Sequence, residues 1–183
     1  MFTALAIIAA ILVYAVIVYN GLVKSRQMVE EAWSGIDVQL KRRADLIPNL
    51  IETVKGYAAH EKSTLEKVIT LRNKAQAVPA GDVAGRAQAE GMLGQALGKL
   101  FALAEAYPDL KANQGFLDLQ ASLETLEGEI QMSRRYYNGA ARDLNVKVES
   151  FPSNLVARNF GFTKASYFEI TNEADRAVPS VKF

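Results

Sequence analysis

The sequence contains no cysteine and a single histidine among its 183 residues. The absence of cysteine excludes disulfide bonds and thiolate metal sites, although it fits either side of a membrane. The lone histidine, His60, has glycine, tyrosine, serine and threonine three and four positions away, so no metal ligand lies beside it on a helix. We therefore expect His60 to be a solvated or capping residue, and no metal site is predicted.

The chain also lacks the patterns of common catalytic and nucleic-acid-binding sites. Its formal net charge of +1 gives no argument for a nucleic-acid partner. Gly91, Gly94 and Gly98 fall within a helical pattern and not in a strand-to-helix turn, so no phosphate-binding loop is predicted. The serines have no recognisable relation to a base that could activate them. We expect a protein that is not an enzyme and that binds no cofactor.

Charged side chains are missing from the first part of the chain, where the first one is Lys24. Residues 4–19 are continuously apolar, and a helix over residues 1–23 is ~35 Å long, enough to cross a ~30 Å hydrocarbon core. A cleaved signal peptide is the alternative, but the sequence lacks the basic start and the small-residue cleavage site of such a peptide. Residues 1–23 are therefore predicted to form a transmembrane anchor in contact with the lipid bilayer.

The basic residues next to this anchor predict its orientation. None precedes the apolar run, whereas Lys24 and Arg26 follow it directly. Cytoplasmic flanks carry an excess of lysine and arginine. We therefore expect the N-terminus outside and residues 24–183 in the cytoplasm.

Apolar residues at spacings of three and four predict four further helical stretches. The first is marked by Val29, Trp33, Ile36 and Leu40, the second runs from Ile47 to Val68, and the third covers residues 83–107 with Asp82 as its cap. The fourth, from Phe116 to Val148, has a coiled-coil-like periodicity. The three glycines of the third stretch share one face, which indicates a close helix contact. The predicted bundle core includes Trp33, Leu123, Leu126, Ile130 and Tyr137.

These elements predict an all-α fold, an antiparallel helical bundle of about four long helices on an N-terminal single-pass transmembrane helix. The bundle is expected over residues 24–160. Residues 161–183 mix aromatic residues with glycine and proline, and they are expected to form an extended C-terminal tail.

The stretch DVQLKRRADLIPNL, residues 37–50, is interpreted first as a corner between two helices. Lys41 to Arg43 suit the end of one helix, because cations are favourable there. Asp45 suits the N-cap of the next helix, with Pro48 in its first turn. A basic surface for anionic lipid or a protein partner is the alternative interpretation.

The same stretch holds charges that we expect to be divided between stability and interaction. Asp37 lies four residues before Lys41, a spacing that favours a helical ion pair. Arg42 and Arg43 point about 100° apart on a helix. One of them is expected to meet Glu127 or Glu129 of the fourth helix, while the other faces outward.

Several motifs resemble the LemA family in order and spacing along nearly the whole chain. They are YNGLVKSR, EEAWSGIDVQLKRRADLIPNLIETVKGYAAHE, AEAYPDLKANQGFLDLQ, RRYYNGAARDLN, ESFPSNLVARNFGF and SYFE. The resemblance implies a small bacterial membrane protein with one N-terminal transmembrane helix, a helical bundle and no established activity or cofactor. It also implies a relation to a magnetosome membrane protein implicated in membrane invagination.

Two functions are compatible with the sequence and this resemblance. The first is a non-enzymatic scaffold of the bacterial inner membrane that forms homo-oligomers and organises or shapes the membrane. The second is an adaptor for a membrane enzyme, such as a quality-control protease. A cryptic hydrolase is a third and weaker alternative.

Overall fold

The computed structural model describes residues 2–79 and 81–169, and within them every regular element is helical. The helices are α1 (Phe2–Tyr57), α2 (Lys62–Gln76), α3 (Val83–Ala104), α4 (Pro108–Lys111), α5 (Gln114–Glu149) and α6 (Ser153–Asn159). The predicted all-α fold is confirmed. Of the predicted C-terminal tail, residues 161–169 are non-helical, and residues 170–183 lie outside the described part.

The chain divides into two compact units. Of the described residues, those in 2–37 and 132–167 form the first, named the hairpin unit, and those in 38–131 and 168–169 form the second, named the bundle unit. Helices α1 and α5 each contribute one portion to either unit. The predicted domain boundaries at residues 23 and 160 do not coincide with these divisions and stay predictions.

The bundle unit is held together by one apolar core to which five helices contribute. Its buried side chains include Ile47, Leu50 and Val54 of α1, Leu65 and Val68 of α2, Leu93, Leu97 and Leu100 of α3, Leu110 of α4, and Phe116 and Leu123 of α5. Their spacing of three and four within each helix places them on one face. This unit is the antiparallel bundle that the periodicity predicts.

The hairpin unit consists of antiparallel portions of α1 and α5, followed by α6 and the segment after it. Trp33 and Tyr137 meet edge to face with ring centroids 5.6 Å apart. The Tyr137 hydroxyl donates a hydrogen bond to the Ser166 carbonyl over 2.8 Å. Asn145 donates to the Ala165 carbonyl and accepts from its N–H, so one side-chain amide orders the chain after α6.

The predicted corner at residues 41–48 is wrong, because α1 passes through it without interruption. Proline inside a helix has no N–H for the carbonyl four residues before it. For Pro48 that carbonyl belongs to Ala44, and it accepts instead from Arg72 Nε of α2 over 2.7 Å. Lys41 to Arg43 therefore do not end a helix, and Asp45 is not an N-cap. The interruption lies after Tyr57.

The hydrogen bond from Arg72 to the Ala44 carbonyl should contribute measurably to stability. Substituting Arg72 with methionine leaves the buried Ala44 carbonyl without its donor, which should lower the free energy of unfolding by ~1–3 kcal/mol. Pro48→Ala restores a backbone N–H at this position. In that background, Arg72→Met should cost clearly less in chemical unfolding of the detergent-solubilised chain. Equal losses in both backgrounds would show that Arg72 stabilises the protein in another way.

The third helix confirms one local prediction and corrects another. Asp82 caps α3, because its carboxylate accepts a hydrogen bond from the N–H of Gly85 over 2.8 Å. The predicted close helix contact at Gly94 and Gly98 is wrong. A Cβ at either position would meet no atom within 4 Å.

Candidate interaction surfaces

The predicted site residue Arg43 lies in the interior of the bundle unit. Only 4% of it is exposed. Its Nη1 donates to Glu127 Oε2 of α5 over 2.7 Å, and its Nη2 donates to Glu90 Oε2 of α3 over 2.6 Å. Arg86 Nε donates to the other Glu90 oxygen over 2.9 Å. Arg43 therefore joins three helices through charged hydrogen bonds, and its contacts are those of a structural residue.

Arg42, the next residue, is exposed and makes weaker contacts. Its Nη1 donates to Gln39 Oε1 over 3.0 Å and to Glu129 Oε2 over 3.2 Å. The two arginines thus differ in burial as the helix geometry requires. Both arginines contact a carboxylate, whereas the sequence predicted such a contact for only one of the two.

The other residues of the predicted corner lie on the outside of α1. Lys41, Asp45 and Pro48 are exposed in the bundle unit, and Asp37 is exposed in the hairpin unit. The Asp37–Lys41 ion pair stays a prediction. Arg43 is thus buried, whereas Asp37, Lys41, Asp45 and Pro48 are exposed and available to an interaction surface.

Sequence reasoning missed Glu90, which is the most deeply buried charged residue of this network at 2% exposure. A signal was present, because Glu90 is the only charged residue between Arg86 and Lys99. A lone carboxylate within an apolar stripe is expected to have a buried cation as its partner.

Four of the five predicted core residues are buried. Leu123, Leu126, Ile130 and Tyr137 are each exposed by 5% or less, whereas Trp33 is half-buried. Burial raises the pKa of Tyr137 above its ordinary value, since the phenolate would lose solvation. The tyrosine therefore remains a neutral hydrogen-bond donor to the chain after α6.

No group of three or more potential metal-ligating side chains, drawn from histidine, cysteine, aspartate and glutamate, occurs in the part of the chain that is described. His60 is exposed in the connection between α1 and α2.

Two grooves, named here the hairpin grooves, run between α1 and α5 in the hairpin unit. The first, of about 400 Å³, is lined by Lys24, Ser25, Met28, Ala140, Asp143, Val146 and Lys147. The second, of about 390 Å³, is lined by Glu31, Ala32, Gly35, Met132, Ser133 and Tyr136. On each helix these positions recur at spacings of three and four, so both grooves open on the same side.

The walls of the hairpin grooves carry large apolar side chains that the hairpin does not bury. Met132, Tyr136 and Val146 are 58%, 54% and 53% exposed, respectively. They form a second stripe on α5, beside the buried one that contains Ile130 and Tyr137. The sequence alone predicted only the buried stripe, because the periodicity does not show which face of α5 is covered.

The apolar run at the start of α1 forms another uncovered surface. α1 contains a window that is long and apolar enough to cross a membrane, and none of that window is buried. Ile7, Leu12 and Ile17 are each more than half exposed. Such a helix surface matches hydrocarbon rather than water.

Comparisons with known proteins place these features in a family. The model of the LemA family matches residues 32–183. Magnetosome protein MamQ 2 of Paramagnetospirillum magneticum is 27% identical over 175 residues, covering 82% of this chain and 64% of the relative. Protein LemA of Metamycoplasma hominis is 27% identical over 150 residues, covering 82% of this chain and 68% of the relative.

The chain thus spans less than two thirds of the length of the MamQ relative, at 64%. The family match and the uncovered apolar helix together indicate a membrane-associated protein. Since the family model matches more than half of the sequence, the chain belongs to the LemA family.

Proposed function

We propose that this protein is a non-enzymatic helical scaffold, anchored in the membrane through residues 1–23, that self-associates and thereby organises or shapes the bilayer. The observation that carries the proposal is the exposed apolar stripe along the hairpin grooves. Its side chains, Met132, Tyr136 and Val146, are spaced by four and ten residues and therefore share one face of α5. A solvated stripe of this kind marks an interaction surface.

A second copy of the chain fits these grooves better than a single unrelated helix. Copies anchored in one bilayer share one orientation. A two-fold axis along the membrane normal therefore brings together residues that lie at the same distance from the membrane in the two copies. Lys24 and Asp143 line the same groove from opposite helices. Two-fold pairing allows Lys24 of one copy to face Asp143 of the second, while Lys147 adds a further cation to the same groove.

Anchoring in one membrane also favours association without large contact areas. Confinement and shared orientation raise the effective concentration of copies and lower the entropy lost on pairing. A modest stripe can then support an assembly. Relatives named magnetosome proteins motivate the membrane-organising part of the proposal.

Self-association can be tested with single cysteines, because the chain has none of its own. We expect Tyr136→Cys in native membranes to give covalent dimers with a short bis-maleimide, because this position lines a hairpin groove. Arg142→Cys is the matched control, since Arg142 is exposed on the same helix outside both grooves. Equal yields, or none from Tyr136→Cys, would refute association through the grooves. A specific adduct with another membrane protein instead would favour the adaptor function.

The same variant tests the proposed topology, with the N-terminus outside and the helical units in the cytoplasm. Basic Lys24 and Arg26 after the apolar run support this orientation. A membrane-impermeant maleimide should leave Tyr136→Cys unlabelled in intact spheroplasts and label it after permeabilisation. Labelling of intact spheroplasts would reverse the orientation without affecting the cross-linking result.

A further inference from the structure

The chain around α6 lies beside the end of the apolar run of α1. The ring of Tyr19 is 4.9 Å from the ring of Phe160 and 5.7 Å from the ring of Phe162, edge to face in both cases. Arg26 lies over the Phe162 ring at 5.3 Å. Residues 4–19 are the continuous apolar run, so Phe160 is placed at its boundary.

The end of α5 reaches the same level by an independent set of contacts. Lys147 Nζ donates to Ser25 Oγ over 2.6 Å. Leu144 is buried in one cluster with Leu22, and Val18 packs against this cluster. Since α5 runs antiparallel to α1, the residues after Lys147 continue toward the apolar run. Phe151, about one turn further, therefore lies near its boundary as well.

Apolar side chains at this boundary are largely exposed. Phe151 is 79% exposed, Leu155 is 55% exposed and Phe160 is 63% exposed. On the other side of α6, Ala157 is buried and Val156 packs against the cluster around Leu22. Helix α6 thus packs on the hairpin through Val156 and Ala157, whereas Phe151, Leu155 and Phe160 form a largely exposed apolar surface in α6 and its flanks.

Cationic side chains surround this apolar face, as is typical of surfaces that contact lipid headgroups. Exposed basic residues on the neighbouring elements are Lys24, Arg26, Lys147, Arg158 and Lys164. Glu149 pairs with Lys164 over 2.7 Å, and Glu30 pairs with Arg26 over 3.9 Å. Asp143 lines one hairpin groove with Lys24 and Lys147, so the acidic residues there are fewer than the basic ones. The uncompensated charge at this end of the hairpin is positive.

We propose that Phe151, Leu155 and Phe160 insert into the headgroup and upper acyl region of the bilayer that residues 4–19 span. Lipid is the expected occupant because this apolar surface adjoins Tyr19, where the predicted membrane span ends. The apolar surface of the span and that of Phe160 are therefore continuous. The proposal rests on the membrane anchor of the proposed function, but it does not depend on self-association.

A second membrane contact beside the anchor has a mechanical consequence. A single span can tilt and rotate, whereas a span with three inserted side chains on one side is held at a fixed orientation. The inserted residues also occupy area in one leaflet only. The hairpin unit would then act on the membrane as an asymmetric wedge.

Depth-dependent quenching of tryptophan by brominated lipid tests the proposal in the full chain. The only tryptophan is replaced first, as Trp33→Phe, and single tryptophans are then introduced as Phe160→Trp and Leu155→Trp. Tyr14→Trp serves as the anchor control, about 7.5 Å deeper along α1 than Tyr19. Tyr136→Trp serves as the distant control, because it lines a groove with Gly35, about 24 Å beyond Tyr19.

The vesicles contain phosphatidylglycerol and phosphatidylcholine, with bromine on the phosphatidylcholine either near the top or near the end of the acyl chain. We expect Phe160→Trp and Leu155→Trp to lose most of their emission to shallow bromines and little to deep ones. Tyr14→Trp should respond to deep bromines, and Tyr136→Trp to neither.

Each other outcome overturns the proposal in a distinguishable way. If Tyr14→Trp is quenched and Phe160→Trp and Leu155→Trp are not, the anchor stands and the inserted face is refuted. A blue-shifted but unquenched emission at residues 155 and 160 would show that protein, such as a second copy, covers them. If Tyr14→Trp is not quenched either, the anchor itself fails and the insertion fails with it.

Discussion

Replacing Arg43 with methionine is expected to lower the free energy of unfolding by ~3–5 kcal/mol, as for other broken buried ion pairs. The loss is large because Arg43 lies between Glu90 and Glu127 inside the bundle unit. Without Arg43, Glu90 remains buried with only Arg86 as a cationic partner. The measurement is chemical unfolding of the full chain in detergent micelles, followed by circular dichroism.

Two controls identify the origin of this loss. Arg42→Met removes the neighbouring charge from an exposed ion pair with Glu129, and it should change the free energy by only ~0–1 kcal/mol. Glu127→Gln neutralises the more exposed of the two carboxylates that Arg43 meets, which is 43% exposed, and it should cost clearly less than Arg43→Met. A Glu127→Gln variant as unstable as Arg43→Met would contradict the role of burial in this loss. Equal effects of the two arginine substitutions would contradict the difference in burial.

Replacing Leu126 with alanine is expected to lower the free energy of unfolding by ~2–5 kcal/mol, the range for truncation of buried leucines. Leu126 is only 5% exposed on α5. Leu117→Ala is the matched control, because it is the same truncation on the same helix at a site that is 41% exposed. A Leu126→Ala protein that unfolds like the wild type would show that this face of α5 is not packed.

The helices could be predicted from the sequence where the periodicity alone decides them. Helix α5 follows from a regular stripe of apolar residues, and Asp82 marks the start of α3 through ordinary capping chemistry. Pro48 could not be interpreted correctly, because its tolerance depends on a donor from Arg72, 28 residues from Ala44 in sequence. A local rule identified the missing hydrogen bond, but only tertiary structure supplies its replacement.

The charged network and the exposed surfaces could be predicted only in part, for the same reason. The helical angle between Arg42 and Arg43 predicts that they differ, but not that Glu90 meets the inner one. Tertiary contacts also decide which of two apolar stripes on α5 is covered. The contact between Tyr19 and Phe160, which brings the exposed aromatic residues after α5 to the end of the apolar run, is also a tertiary contact that no local pattern predicts.

The closure of the hairpin unit has a consequence for the order of events during protein synthesis. Leu22 and Ser25 are covered by partners near Leu144 and Lys147, more than 120 residues later in the chain. A ribosome adds ~5–20 residues per second, so these partners emerge on the order of ten seconds after the anchor. Throughout that interval the membrane-proximal part of α1 is uncovered. Chains released before Leu144 would expose it permanently, a difference by which proteolytic surveillance could distinguish incomplete products from finished ones.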